Sequence, residues 1–179
     1  MTSLTDIMTR PVKTVTADQT LKELAEFFIE ERVSGAPVLS SGSLVGVVSA
    51  TDLIEFDAEE RGQPAYETAA AGLENADDEW SDDGPSRFFA DPWTTESVDI
   101  SAKLDTSGPI WNSLEEHTVE DVMTRQLLML ERDTPVQVAA RRMMKAGVHR
   151  LLVMDGTDLI GVVTTTDIVR AVAELGLGG

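Results

Sequence analysis

Residues 161–167 read Gly-Val-Val-Thr-Thr-Thr-Asp, and residues 46–52 read Gly-Val-Val-Ser-Ala-Thr-Asp. In both stretches an apolar run of strand type passes through hydroxyl residues to an aspartate at the expected start of a helix. The two copies lie 115 residues apart (161 minus 46). This duplication decides the fold, because a repeat at a fixed offset predicts two copies of one supersecondary unit.

The same offset aligns residues 3–54 with residues 118–169 without a gap. Identical residues are spread over the whole alignment, and chance does not account for a gap-free match of this length. The identical pairs include Asp6/Asp121, Met8/Met123, Thr9/Thr124, Arg10/Arg125, Asp18/Asp133, Ala25/Ala140, Val33/Val148, Val38/Val153, Leu44/Leu159, Gly46/Gly161 and Asp52/Asp167. Both ends of the chain are therefore predicted to fold as the same unit.

Each copy predicts the element order β-α-β-β-α, preceded by a short helix. Capping boxes, with a hydroxyl residue three positions before a carboxylate, mark helix starts at Ser3, Thr20 and Thr118. In the second copy the pattern predicts Thr134 as the cap and Pro135 as the first helical residue. One unit alone would leave an open sheet face and a small core. We therefore expect an α+β fold in which two units pack as one pseudo-two-fold pair.

Composition excludes several classes of function. The chain has 179 residues, a net charge of -18 and no cysteine. A charge of this sign repels nucleic acid and anionic membrane surfaces, so neither is an expected partner. The absence of cysteine excludes disulfides and thiolate chemistry. The sequence shows neither a signal-peptide pattern nor a run of roughly 20 apolar residues, and we expect a cytoplasmic protein.

The negative charge is concentrated in the middle of the chain. Residues 56–118 contain sixteen acidic and three basic residues, a net of -13, which leaves -5 for the remainder. We divide the chain into a first repeat at 1–62, an acidic, aromatic-containing insertion at 63–117 and a second repeat at 118–179.

The insertion has two possible interpretations. It could be a solvated, disordered acidic linker. Its aromatic content argues against full disorder, because all three tryptophans fall there together with Tyr66, Phe88 and Phe89. We expect Trp93 and Trp111 to hold the insertion against the core or a second subunit, with residues 77–83 in solvent.

The repeats resemble the CBS-domain pair, or Bateman module. The element order matches, as do the openings Asp-Ile-Met-Thr-Arg at 6–10 and Asp-Val-Met-Thr-Arg at 121–125, the two aspartate-ended stretches quoted first, and Ala-Pro-Val at 36–38. The run Val-His-Arg-Leu-Leu-Val at 148–153 is also similar to the regulatory γ subunit of AMP-activated kinase. The resemblance implies a regulatory module that binds adenosine derivatives in a cleft between the repeats, forms a homodimer and acts on an unidentified protein partner.

The resemblance also implies roles for individual residues. Asp52 and Asp167 would accept hydrogen bonds from the ribose hydroxyls, a task that suits an acceptor-only carboxylate. The residues implied for the phosphate are Ser49, Thr51, Thr164, Thr166, His149 and Arg150. The residues implied for the base are Ala36, Val38, Leu151 and Val153. The second copy has His149 and Arg150 where the first has Ser34 and Gly35, which favours the Asp167 site for phosphate.

Other interpretations remain open. Each Ser/Thr-x-x-Asp stretch, taken alone, is most often only a helix cap. The clefts could be empty in a structural module used for dimerisation or docking, or could take S-adenosylmethionine or NAD in place of AMP, ADP or ATP, with or without magnesium. No phosphate loop or nucleophile set predicts an enzyme or a catalytic cofactor. His117 and His149 occupy different repeat positions, so no metal site is expected.

Overall fold

Each repeat forms a three-stranded sheet with helices packed against it in the computed structural model, which describes residues 2–60, 87–90 and 114–175. The first repeat contains α1 (Leu4–Ile7), β1 (Val15–Thr16), α2 (Leu21–Glu31), β2 (Gly35–Ser40), β3 (Ser43–Ser49) and α3 (Ala50–Glu60). A short helix, α4 (Arg87–Ala90), follows. The second repeat contains α5 (Val119–Val122), β4 (Met129–Glu131), α6 (Val136–Ala146), β5 (Arg150–Asp155), β6 (Asp158–Thr164) and α7 (Thr165–Leu175).

The two sheets have the same topology and the same register. In each, the first strand is parallel to the second, and the second pairs with the third as an antiparallel hairpin. Val38 pairs with Gly46, and Val153 pairs with Gly161, with a register shift directly after the valine in both copies. The α+β class and the two-repeat architecture are confirmed.

The capping boxes fold as predicted, with one exception. Ser3, Thr20 and Thr118 each cap the helix that follows. The prediction for the second long helix was wrong, because Pro135 is the N-cap residue and α6 begins at Val136. Pro135 has an extended backbone with ψ 139°, so its carbonyl, and not a Thr134 hydroxyl, meets the free amides of the first turn.

The opening helices are exchanged between the repeats. The segment after α1 pairs with the second hairpin, where the Thr9 amide donates to the Val162 carbonyl at 2.8 Å. The segment after α5 pairs with the first hairpin, where the Thr124 amide donates to the Val47 carbonyl at 2.9 Å. Leu4 of α1 is buried in the second core, and Val119 of α5 is buried in the first. Each repeat therefore completes the core of the other.

This exchange explains why the same methionine and glycine recur in both copies. A Cβ atom placed on Gly46 would lie 2.8 Å from the Met123 sulfur and 2.9 Å from the Thr124 carbonyl oxygen. A Cβ on Gly161 would collide with Met8 in the same way. The methionine of each opening thus packs against the bare glycine backbone of the opposite hairpin.

Two parts of the insertion pack against the repeats. Phe88 and Phe89 are 2% and 0% exposed and belong to the second core. Leu114 is buried in the first core, and its carbonyl accepts the Lys22 amide at 3.1 Å. Trp93, Trp111 and residues 77–83, for which contacts or exposure were predicted, lie outside the described residues. None of the described helices is both long enough and apolar enough to span a membrane.

Candidate functional site

A cavity of about 500 Å³ lies between the two repeats on the side of Asp167. Its walls come from two segments of the first repeat, within residues 9–13 and 31–37, from Phe88, and from β5, β6 and α7 of the second repeat. The lining residues are Thr9, Pro11, Val12, Lys13, Glu31, Arg32, Val33, Ser34, Gly35, Pro37, Phe88, Arg150, Val162, Thr164, Thr166, Asp167 and Arg170. Residues of both repeats therefore form the cavity.

The exchanged segment brings these walls together. The pairing of Thr9 with Val162 lays residues 9–13 along the edge of β6. The end of α2 and the start of β2 form the opposite wall, where Pro37 lies between two core residues of the strand. The strand β6 ends at Thr164, and α7 carries Asp167 in its first turn. The chain topology therefore places an apolar wall from the first repeat and the polar start of α7 at the same opening.

The Asp167 carboxylate is held in a fixed orientation. Its Oδ2 accepts the Thr164 amide at 2.9 Å and the Thr164 hydroxyl at 2.8 Å. Its Oδ1 lies 3.2 Å from the Arg170 guanidinium, an exposed side chain. The helix-cap interpretation is thus correct for Oδ2. The second oxygen, Oδ1, contacts the exposed Arg170 guanidinium, and a carboxylate oxygen can accept more than one donor.

The cavity is locally rich in positive charge although the chain is acidic. Its lining contains four cationic residues, Lys13, Arg32, Arg150 and Arg170, against the acids Glu31 and Asp167. The Lys13 ammonium lies 2.6 Å from a Glu31 carboxylate oxygen. Arg150 is only 1% exposed, and its guanidinium carbon lies 5.0 Å from the Phe88 ring centroid, within cation–π range. Such a lining attracts an anion against the overall field of the protein.

The structure brings together three of the six residues that were predicted to bind phosphate. Thr164, Thr166 and Arg150 line the cavity together with Asp167. His149 does not line it, and its backbone is engaged on both sides: its amide donates to the Phe89 carbonyl at 2.7 Å, and its carbonyl accepts the Thr165 amide at 2.9 Å.

The first-copy residues lie apart from the cavity. Ser49 donates to Asp52 Oδ2 through its amide at 2.6 Å and its hydroxyl at 2.8 Å, as Thr164 does to Asp167. Thr51 stands between them in the first turn of α3. The two helix starts are therefore built alike, but only the second opens into this cavity.

The residues predicted to contact the base lie in the cores. Ala36, Val38, Leu151 and Val153 are completely buried among the helix-facing residues of their sheets and do not line the cavity. Side chains alternate across a strand, so the position between Ala36 and Val38 is the one that faces the opening. That position is Pro37.

Sequence reasoning missed the apolar walls of the cavity. Pro11, Val12, Pro37 and Val162 supply them. The run at 36–39 is apolar throughout, so it does not show which side of β2 faces the opening, and Pro11 and Val12 reach the site only through the exchange of segments between repeats. No group of three or more His, Asp or Glu residues within the described ranges is placed to hold a metal ion.

Known proteins resemble this chain over both repeats. The family model of the CBS domain matches residues 4–59 and 119–174. A protein of Methanocaldococcus jannaschii, MJ1426, is 30% identical over 168 residues, which cover 93% of this chain and 88% of that protein. Both matches span the two repeats.

Solved structures share the fold at lower identity. The structure of CBSX2 in complex with AMP has a TM-score of 0.61 and 22% identity, and the match covers 97% of this chain and 98% of that one; CBSX2 comes from Arabidopsis thaliana. The CBS domain pair of MJ0100, in complex with 5'-methylthioadenosine and S-adenosyl-L-methionine, has a TM-score of 0.56 and 20% identity, with 96% of both chains covered. At this identity the likeness concerns the fold.

Proposed function

The chain belongs to the CBS-domain family, and from that premise we propose that it is a non-catalytic regulatory module whose Asp167 cavity binds an adenine nucleotide, AMP, ADP or ATP. One observation carries the proposal. A single cavity of about 500 Å³ combines a fixed carboxylate, two hydroxyl residues, a cation-rich rim and apolar walls. These are the groups that ribose, phosphate and base require.

Each part of a nucleotide has a complementary partner in the cavity. The ribose hydroxyls donate to Asp167 Oδ1, which Arg170 releases because its exposed side chain can swing into solvent. The phosphate meets the Thr166 hydroxyl and the Arg150 guanidinium beside Thr164, at the start of α7, where the helix dipole favours an anion. The base lies against the apolar wall that contains Pro37 and Val162. Hydrogen bonds to charged groups contribute roughly 1.5–3 kcal/mol each, against an association cost of about 4–15 kcal/mol. We expect dissociation constants around micromolar.

The charge of the cavity selects among adenosine ligands. S-adenosylmethionine carries a sulfonium cation, which four cationic lining residues disfavour, whereas each added phosphate gains from them. An S-adenosylmethionine sensor is therefore the weaker alternative, whereas NAD, which carries two phosphates, remains an alternative that the charge of the cavity does not disfavour. A structural module with empty clefts is the other alternative, and the observation in its favour is that both Asp52 and Asp167 already serve as helix caps.

The module is proposed to act as a homodimer that signals to a protein partner. Met144 on α6 is 84% exposed, and Val169 and Val172 on α7 are also exposed, which leaves apolar surface on two adjacent helices. Burying that surface in a second copy would remove it from water. Nucleotide would then bias one dimer arrangement if it binds that arrangement more tightly. The division into repeats at 1–62 and 118–179 around an acidic insertion, and a cytoplasmic location, belong to the same proposal.

Calorimetric titration tests the function directly. The full chain is titrated with AMP, ADP, ATP, NADH and S-adenosylmethionine, each with and without magnesium. We expect heat with the adenine nucleotides at micromolar concentration and little or none with S-adenosylmethionine. Tight binding of S-adenosylmethionine alone would establish the second candidate. The absence of heat with all five would favour the structural module.

A further inference from the structure

The 115-residue offset relates the open cavity to a second position beside Asp52. Residues of its first-repeat wall have counterparts 115 positions later, and those of its second-repeat wall have counterparts 115 positions earlier. Val12, Lys13, Val33 and Pro37 correspond to Leu127, Leu128, Val148 and Leu152, and Val162 and Asp167 correspond to Val47 and Asp52. If the molecule were symmetric, these counterparts would line a second cavity of the same kind.

The counterparts instead form part of a core. Val47, Val148 and Leu152 belong to the second apolar core, which also contains Phe88 and Phe89, and the partly buried Leu127 and Leu128 pack against that core. The helix α4 that carries the two phenylalanines lies against β3 and β5. Those strands carry the wall residues Val47 and Leu152. The two rings thus lie in the core that contains the counterparts of the open cavity's apolar wall.

Specific contacts hold α4 in this place. The Phe89 carbonyl accepts the His149 amide at 2.7 Å, and His149 is the counterpart of Ser34, which lines the open cavity. The Phe88 ring lies under the Arg150 guanidinium. The same ring packs against the start of β2, where a Cβ on Gly35 would lie 2.8 Å from Phe88 Cδ2. A hydrogen bond, a cation–π contact and close packing therefore all fix the segment.

We propose that Phe88 and Phe89 are a built-in occupant of the Asp52 cleft, so that each chain offers one nucleotide site and not two. A flat apolar ring on the wall residues takes the place of a ligand base. Phe88 also lines the open cavity, where its ring makes the cation–π contact with Arg150. The occupant of one cleft is thus part of the wall of the other. The stoichiometry in this inference rests on the proposed function, whereas the position of the rings does not.

Titration of the full chain with AMP tests the stoichiometry. We expect one equivalent per wild-type chain, and a second, weaker equivalent in Phe88→Ala/Phe89→Ala. Adding Asp52→Ala to that double variant removes the second equivalent. Phe27→Ala on α2, which makes the same substitution away from both clefts, stays at one. Two equivalents in the wild type, or a folded double variant that stays at one, overturns the inference.

A disulfide tests the position of the rings without any ligand, and also serves if the double variant does not fold. The chain has no cysteine, so Gly35→Cys/Phe88→Cys can form only one intramolecular bond. Phe88→Cys also removes the ring that crowds a Cβ at Gly35. We expect the bond to form in the folded chain under mild oxidation. The control Gly35→Cys/Ser40→Cys separates the thiols by roughly 16 Å of strand and stays reduced. A folded Gly35→Cys/Phe88→Cys chain that also stays reduced overturns the inference, whether or not AMP binds.

Discussion

Asp167→Ala separates ligand binding from helix capping when it is compared with Asp121→Ala. Both aspartates accept the amide and the hydroxyl of a residue three positions earlier: Thr164 donates to Asp167, and Thr118 donates to Asp121 at 2.8 and 3.2 Å. Asp121 does not line the cavity. Asp121→Ala therefore removes a capping box of the same form without touching the proposed ribose contact.

The two variants should lose similar unfolding free energy but differ in their affinity for AMP. Loss of a cap costs about 1 kcal/mol of unfolding free energy, and both variants should show it. Asp167→Ala also removes two charge-assisted hydrogen bonds to ribose, roughly 3 kcal/mol at the lower end of their range. Against this stands the ion pair between the buried Asp167 and the exposed Arg170 side chain, worth about 0–1 kcal/mol, which the ligand must displace. The net of about 2–3 kcal/mol corresponds to a loss of roughly 30- to 150-fold in AMP affinity.

Calorimetric titration with AMP and urea unfolding of both variants give the two quantities. We expect similar decreases in unfolding free energy, and a loss of affinity only for Asp167→Ala. The assignment of ribose recognition to Asp167 is refuted if Asp167→Ala binds AMP within about threefold of the wild type. It is also refuted if Asp121→Ala weakens binding to the same extent.

Three other side chains test the buried cation, a helix cap and the exposed apolar face. Arg150→Met should lower AMP affinity at least about 10-fold, because a charge-assisted contact is lost. Arg150→Lys should recover only part of that affinity, since an ammonium lacks the planar fork of a guanidinium. A calorimetric titration in which Arg150→Met binds AMP as tightly as the wild type would contradict this prediction. The pKa of Asp6 is held below its ordinary value by the Ser3 amide and hydroxyl. Ionised Asp6 therefore stabilises the fold above the ordinary pKa, and this contribution is lost as pH falls through the lowered pKa. Asp6→Asn should melt below the wild type at pH 7, and the two melting temperatures should converge as pH falls through the lowered pKa. If the melting temperatures stay apart in acid, the cap is not the cause. Val169→Asp should shift the chain toward monomer in sedimentation velocity, and a variant that stays dimeric would exclude this face.

Most of the fold could be predicted because its signals are local and occur twice. Capping boxes mark Ser3, Thr20 and Thr118, and each copy supports the assignment of the other. The start of α6 was misassigned because Thr-Pro fits a cap followed by a first helical residue as well as it fits a turn followed by a capping proline. Only the backbone of Pro135, which is extended, separates the two cases.

The apolar part of the site could not be predicted, because it depends on which face of a strand meets solvent. The first four residues of β2 are all buried, so the sequence shows no alternation from which to choose a face. Ala36 and Val38 turned out to face helices, and Pro37 the cavity. Phe88 and Phe89 carried even less signal, since an aromatic pair within an acidic stretch does not indicate which distant strands it will meet.

The exchange of opening helices obeys the repeat symmetry in every bridge. Ser3 pairs with Pro135 and Thr118 with Thr20, just as Thr9 pairs with Val162 and Thr124 with Val47. The contact between the halves is therefore isologous, of the kind that two identical chains form about a two-fold axis. Two separate copies of one repeat would be compelled by that axis to keep both clefts alike. When the two repeats are joined in one chain, their sequences can differ, so one cleft can be filled by side chains of the chain itself while the other binds a ligand.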